Sequence, residues 1–142
     1  MLREALQDIP CSYSSISPLF LSSWAAFAQV AAAATPKASL LCAITNVSEC
    51  EVLKGCSNHL PAEVNFPQFF TIDFKRQTIS GKGRTDKIGT IEFTAEGIIL
   101  QGVGSLHRAW SLVLNNEQTR VTGHVTGQHY GFTLFGVCQP EI

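Results

Sequence analysis

Cys42, Cys50, Cys56 and Cys138 are the side chains whose type and spacing best define a chemistry in this sequence. Cysteines in a small domain either pair as disulfides or hold a metal. Zinc sites draw their ligands as close pairs about two to four residues apart. Here five residues separate Cys50 from Cys56, and no histidine pair stands at finger spacing. Of the five cysteines, Cys11 lies in the N-terminal segment expected to be lost, and the even number that remains in a small domain is the pattern of a disulfide framework. Four cysteines allow three connectivities. In one of them Cys50 and Cys56 close a tight loop, with Gly55 free to take positive φ, and Cys42 meets Cys138. Spacing alone leaves the other two open.

The histidines offer less. His59, His107, His124 and His129 could serve a metal or acid–base chemistry. No carboxylate is placed to match them, because Asp73, Glu92 and Glu96 fall on different turns and faces. Paired carboxylates for general acid–base work are therefore unsupported. Ser105 and Ser111 lack the context of a nucleophile elbow. A solvated side chain is the plainer account of a lone exposed histidine. No catalytic residue, metal site or cofactor is assigned.

Two other constellations point to binding. Lys82, Arg84 and Lys87, set among Gly81 and Gly83, could form an anion-binding loop. The loop lacks the Gly-Lys-Ser/Thr ending of a phosphate loop. A solvated hairpin loop is its plainer account. Trp110, Tyr130, Phe132 and Phe70 could line a barrel mouth and hold an apolar ligand. Core packing is the competing account. Asn46-Val47-Ser48 is a glycosylation sequon to which no role is given.

What positions these residues follows from the rest of the chain. A length of 142 residues predicts one domain. Residues 19–34 are apolar and alanine-rich, of the length of a signal-peptide core, with small residues at 31–34 and a helix-breaking Thr35-Pro36. Residues 1–34 are therefore expected to be a signal peptide, cleaved near Ala34, although Glu4 and Asp8 outweigh Arg3 where a positive start is usual. A structural helix or a membrane anchor are the alternatives; Ser22, Ser23 and Gln29 and the short span weigh against an anchor. Leu41 stands where a lipoprotein box needs a small residue. The remainder holds nine basic and nine acidic residues, out of ten and eleven in the whole chain. A neutral domain carries no electrostatic footprint for nucleic acid or an anionic membrane.

Residues 35–68 read as a Cys-containing arm and a proline-rich loop, with Leu60-Pro61 and Phe66-Pro67 denying ladder donors. Residues 69–142 read as an antiparallel β domain. Phe70, Ile72 and Phe74 alternate with Phe69, Thr71 and Asp73; Ile91 and Phe93, Trp110, Leu112 and Leu114, Val121 and Val125, and Tyr130, Phe132 and Leu134 likewise recur at period two. Glu96-Gly97 is read as a two-residue hairpin turn. Short connections favour a meander. The expected fold is all-β: a small antiparallel meander of about seven strands closing into a barrel or half-barrel, with an N-terminal disulfide-linked arm. Phe70, Ile72, Phe93, Trp110, Leu112, Val121, Phe132 and Leu134 should be buried; Thr90, Glu92, Arg120, Thr122 and His124 should face solvent.

An ordered set of segments resembles a family of small exported β-proteins of proteobacteria. It comprises Cys42-Ala43-Ile44-Thr45, Glu49-Cys50, Gly55-Cys56, residues 64–74, Ile98-Ile99-Leu100-Gln101-Gly102, Ala109-Trp110-Ser111-Leu112-Val113 and the closing Phe135-Gly136-Val137-Cys138. The resemblance covers Cys42 to Cys138. It implies export and a β fold, and brings no activity and no catalytic residue. The expected location is periplasmic or secreted, with no stable membrane span after cleavage. Two roles remain. One is a non-enzymatic envelope module that binds a protein or envelope component; the other is a lipocalin-like binder of a small apolar ligand.

Overall fold

The computed structural model describes residues 35–142. The expected signal peptide, residues 1–34, lies outside the described residues.

One residue range organises the fold. Strand β1, Ser39–Glu51, carries Leu40, Cys42 and Ile44 inward at period two. A bulge between Ile44 and Asn46 then shifts the register by one, so that Val47 continues the buried face. Thr45, the extra residue, is exposed and donates its hydroxyl to the Phe135 carbonyl at 3.1 Å. Strand β10, Tyr130–Pro140, pairs with β1 along its length, from Leu40 opposite Pro140 to Glu51 opposite Tyr130. The other edge of β1 is shared. Strand β3, Phe69–Asp73, takes the Ser39–Ala43 end, and strand β2, Gly55–His59, takes the Val47–Glu51 end. Within the segment read as an arm, residues 39–51 are thus an interior strand of the sheet, paired on both edges, which the bulge hid from a search for strict alternation.

The remaining strands extend from β1 and β10 in two directions. Strands β4, Thr78–Gly81, and β5, Arg84–Lys87, follow β3 as hairpins. Strands β6, Thr90–Phe93, β7, Gly97–Val103, β8, Ala109–Asn115, and β9, Arg120–Thr126, form a meander that ends on β10. The order is β5-β4-β3-β1-β10-β9-β8-β7-β6, with β2 beside β1. Nine strands therefore run in one path where about seven were expected. β1 and the short polar β5 are the additions that alternation did not reveal.

The sheet curls into a half-barrel. Its two edge strands, β5 and β6, are consecutive in sequence, and the Ile88-Gly89 link between them stitches the ends together. The Ile88 N–H donates to the Gln77 carbonyl and the Gly89 N–H to the Gln101 carbonyl, both at 2.8 Å. The core lies on the concave side, where cross-strand rows such as Ile98–Leu114–Val121 and Leu100–Leu112–Gly123–Leu134 meet Leu40, Ile72 and Phe70.

Both disulfides join directly opposed residues: Cys42–Cys138 between β1 and β10, and Cys50–Cys56 between β1 and β2. Of the eight side chains expected inside, Phe70, Ile72, Leu112, Val121, Phe132 and Leu134 are buried, and Trp110 is half-buried against the core. Phe93 is a correction, because it remains 42% exposed. It shares a row with the buried Ile98 and Leu114, but β6 is an edge strand with no neighbour beyond it to cover the ring. Thr90, Glu92, Arg120 and His124 are exposed as expected, and Thr122 is partly covered. The turn after β6 is wider than the two residues expected. Thr94 closes it, its hydroxyl accepting from the N–H groups of Glu96 (3.2 Å) and Gly97 (3.1 Å). A side chain at Gly97 would stand 2.0 Å from the Leu114 carbonyl oxygen, so only glycine fits there.

Candidate binding cleft

The concave face is not filled at one end. A cleft of about 590 Å³ opens there, within the size range of small-molecule sites. Its floor is a cross-strand row: Trp110 on β8, Val125 on β9, Phe132 on β10 and Glu49 on β1. The strand twist that curls the sheet brings Phe70 of β3 and Ile79 of β4 to the opposite wall. A 3-10 turn, Pro61–Val64, and the Asn65–Pro67 segment after it form one rim. Gly104, Ser105 and Arg108, between β7 and β8, form part of another.

Trp110, Tyr130, Phe132 and Phe70, named from the sequence as ligand-binding candidates, all line this cleft. The aromatic rings are organised edge to face. Phe66 and Tyr130 flank Phe132 with ring centroids 4.9 and 5.3 Å away, both at 64°. Phe66 was not singled out from sequence. Its place between Asn65 and Pro67 reads as loop, and only the approach of that loop to β10 gives the ring a partner.

The cationic candidates divide. Lys82 and Arg84 line the same cleft, and Lys87 does not. The reason is the period of β5: Arg84 and Asp86 share the cleft face, so Lys87 points the other way. The loop that carries these cations is a tight hairpin. Lys82 (φ 50°) and Gly83 (φ 74°) make a two-residue turn in which both positions need positive φ, and Gly81 pairs with Arg84. The Lys82 ammonium donates to the Asn65 side-chain oxygen, which ties the hairpin to the rim. Arg84 reaches Ser105 Oγ at 3.4 Å.

Arg108 was also missed by the sequence reading. Its guanidinium lies over the Tyr130 ring, 5.3 Å from the centroid. Arg108 Nε and Trp110 Nε1 are both buried, and neither has a hydrogen-bond acceptor among the described residues. A buried donor without a partner costs about 1–3 kcal/mol. Arg84, Arg108 and Lys82 form no ion pair among the described residues. Glu49, at the end of the floor, is 3.7 Å from His59 Nε2.

The other polar groups do not converge on chemistry. Ser57 Oγ lies 2.7 Å from His59 Nε2, and Glu63 is 3.8 Å from His59 Nδ1. That distance is too long for a carboxylate to orient the ring. The Glu63 carboxylate instead accepts the Leu60 N–H at 2.7 Å, which closes the 3-10 turn. His124 has Ser111 and Thr133 as cross-strand neighbours and meets the Thr133 hydroxyl at 3.2 Å through Nδ1. His107 sits in the turn before β8 and His129 in the turn before β10. Among the described residues, no three His, Cys, Asp or Glu side chains are gathered for a metal ion, and no helix is long and apolar enough to cross a membrane. Lys54, at the tip of the β1–β2 hairpin, is held above the ordinary lysine value by its hydrogen bond to Glu51 and by the charge of that carboxylate.

One buried polar residue has a structural task. Gln118, 3% exposed, accepts the Lys37 N–H at 3.0 Å and donates to the Thr35 carbonyl at 2.7 Å, pinning the start of the described chain to the β8–β9 turn. Comparison with protein families, curated proteins and solved structures found no match to this chain.

Proposed function

We propose that this protein is an exported, non-enzymatic binding module of the cell envelope that holds the apolar body of a small ligand in its concave cleft. The observation that carries this reading is the cleft itself: about 590 Å³, with Phe70, Trp110, Tyr130 and Phe132 supplied by three different strands. Phe70 and Phe132 are buried, but Trp110 and Tyr130 beside them are only partly covered, so apolar area remains in the cleft for a ligand to cover. Export is supported by two disulfides, which persist in oxidising compartments, and by the apolar segment at residues 19–34. The proteobacterial resemblance over Cys42–Cys138 points the same way.

A second reading, docking to an envelope protein, draws on the convex face. Phe69, Val137 and Phe135 are 55%, 51% and 47% exposed there, and Phe69 and Val137 lie in one row across Ala43. Two measurements separate the readings. Mass spectrometry of an organic extract of the purified protein should release one kind of apolar or amphiphilic molecule, close to one per chain. In the Trp24→Phe chain, Trp110 is the one tryptophan, and titration with dodecanol should change its fluorescence saturably. An empty extract together with no saturable change refutes the ligand reading and leaves the docking module.

A further inference from the structure

We propose that the ligand of the cleft is an amphiphile with a single oxyanion head, received by Arg84, Arg108 and the Trp110 indole N–H. The inference rests on the cleft being a ligand site and adds the chemistry of the ligand's polar end. Three observations carry it.

The first is the pair of buried donors. Arg108 Nε and Trp110 Nε1 have no acceptor among the described residues, although other polar groups stand nearby. Both are shielded from water, so an acceptor brought by a ligand reaches them when the side chains covering them part on binding. The second is the balance of charge. Lys82, Arg84 and Arg108 line the cleft with no ion pair among the described residues, against two carboxylates, Glu49 and Asp86. Glu49 is at the far end of the floor beside His59, which leaves Asp86 alone near the cations. A cluster of guanidinium groups in excess over carboxylate is a receptor for an oxyanion, since each guanidinium presents a planar fork of N–H donors that matches carboxylate or phosphate oxygens. The third is placement. Trp110 sits at the meeting of the two surfaces: its ring belongs to the apolar floor and its N–H to the polar end. Gly102, opposite Trp110, permits this, because a Cβ there would stand 2.3 Å from Trp110 Cζ2 and 2.6 Å from Trp110 Cε2; the Cδ1 edge lies beside Gly104 and Asp86. The apolar body of the ligand then lies along Phe132 and Phe70, and its head lies at Arg84 and Arg108.

The test is calorimetric titration of the full chain with dodecanoate, dodecyl phosphate and dodecanol, each below its micelle-forming concentration. Charge-assisted hydrogen bonds should make at least one anion bind about tenfold tighter than dodecanol. The tighter of the two anions identifies the head as carboxylate or phosphate. In the Arg84→Gln/Arg108→Gln chain the ratio of anion to alcohol affinity should fall to about one. Arg84→Gln alone, at an exposed position, should lower the ratio part of the way. Arg120→Gln, on the convex face, controls for net charge and should leave it unchanged. Dodecanol binding as tightly as both anions would overturn the oxyanion head while the cleft remains a ligand site. A preference for the anions that survives both arginine substitutions would overturn the assignment of these residues. If none of the three binds, the ligand reading of the cleft falls and the head falls with it.

Discussion

Gly123→Ala is the substitution that most directly tests how the floor of the half-barrel is built. Glycine inside a strand is ordinarily replaceable, and alanine there is favoured by about 0.5–1 kcal/mol through backbone entropy. Here the register places Gly123 between Leu112 on β8 and Leu134 on β10. A Cβ would stand 2.4 Å from Leu112 Cδ2 and 3.0 Å from Leu134 Cδ1. Carbon atoms prefer about 3.5–4.0 Å. The two leucines are 3% and 4% exposed; both line the cleft, but moving their methyl ends toward it gives up the contacts that bury them. Overpacking of this kind costs about 1–3 kcal/mol. Clash outweighs entropy, and the net effect should be a loss of roughly 1–2 kcal/mol. Urea melts followed by circular dichroism without reductant would measure it, as a lower midpoint at unchanged slope. A cycle sharpens the test. Leu112→Ala alone should cost about 2–5 kcal/mol, and the double variant should cost at least about 0.5 kcal/mol less than the sum, because the new methyl occupies space the leucine has left. A Gly123→Ala chain as stable as the parent, or strict additivity in the cycle, would refute the Leu112–Gly123–Leu134 alignment.

The two disulfides should be unequal. Their sequence separations are 96 and 6, so Cys42→Ala/Cys138→Ala should cost about 4–5 kcal/mol and Cys50→Ala/Cys56→Ala about 2, read from the same melts; equal losses would contradict the loop-entropy account. Trp110→Ala should cost roughly 3 kcal/mol, the low end for a large aromatic because the ring is half-buried, whereas His124→Ala on the convex face should stay within about 0.5 kcal/mol; the reverse order would invert the facing of β9. Gln118→Ala should cost about 1–3 kcal/mol and speed hydrogen exchange at Lys37, whose N–H loses its acceptor; unchanged exchange would show that Gln118 does not pin that segment. Exported protein should begin at or near Thr35 by N-terminal sequencing and show no titratable thiol when denatured without reductant; two or more thiols per chain would sink the export reading.

The parts of the fold legible in the sequence were those where one physical signal acted alone. β8, β9 and β10 alternate strictly, so Leu112, Val121, Phe132 and Leu134 could be assigned to the core from period two. β1 was not legible, because its bulge inserts Thr45 and breaks the alternation between Ile44 and Val47. β5 was not legible either. Arg84-Thr85-Asp86-Lys87 has no apolar face, and its pairing comes from the Lys82-Gly83 turn and the ladder to β4. The candidate site shows the same division. Phe70, Trp110, Phe132 and Tyr130 could be named because they sit at apolar or aromatic positions of their strands, but Phe66 and Arg108 could not, since each gains meaning only from a neighbour distant in sequence.

By itself, then, the sequence determined the all-β class, the pairing-competent cysteines and which face of the regular strands turns inward, since these depend on local alternation and on count. Tertiary structure alone decided that β1 lies in the interior of the sheet, that Cys42 meets Cys138 and Cys50 meets Cys56, and that an aromatic floor and two arginines line one cleft. The physical reason is the curl of the sheet. Twist accumulated over nine strands brings β3, β4 and β5 across from β8, β9 and β10, and no periodicity within a strand encodes how far the next strand turns.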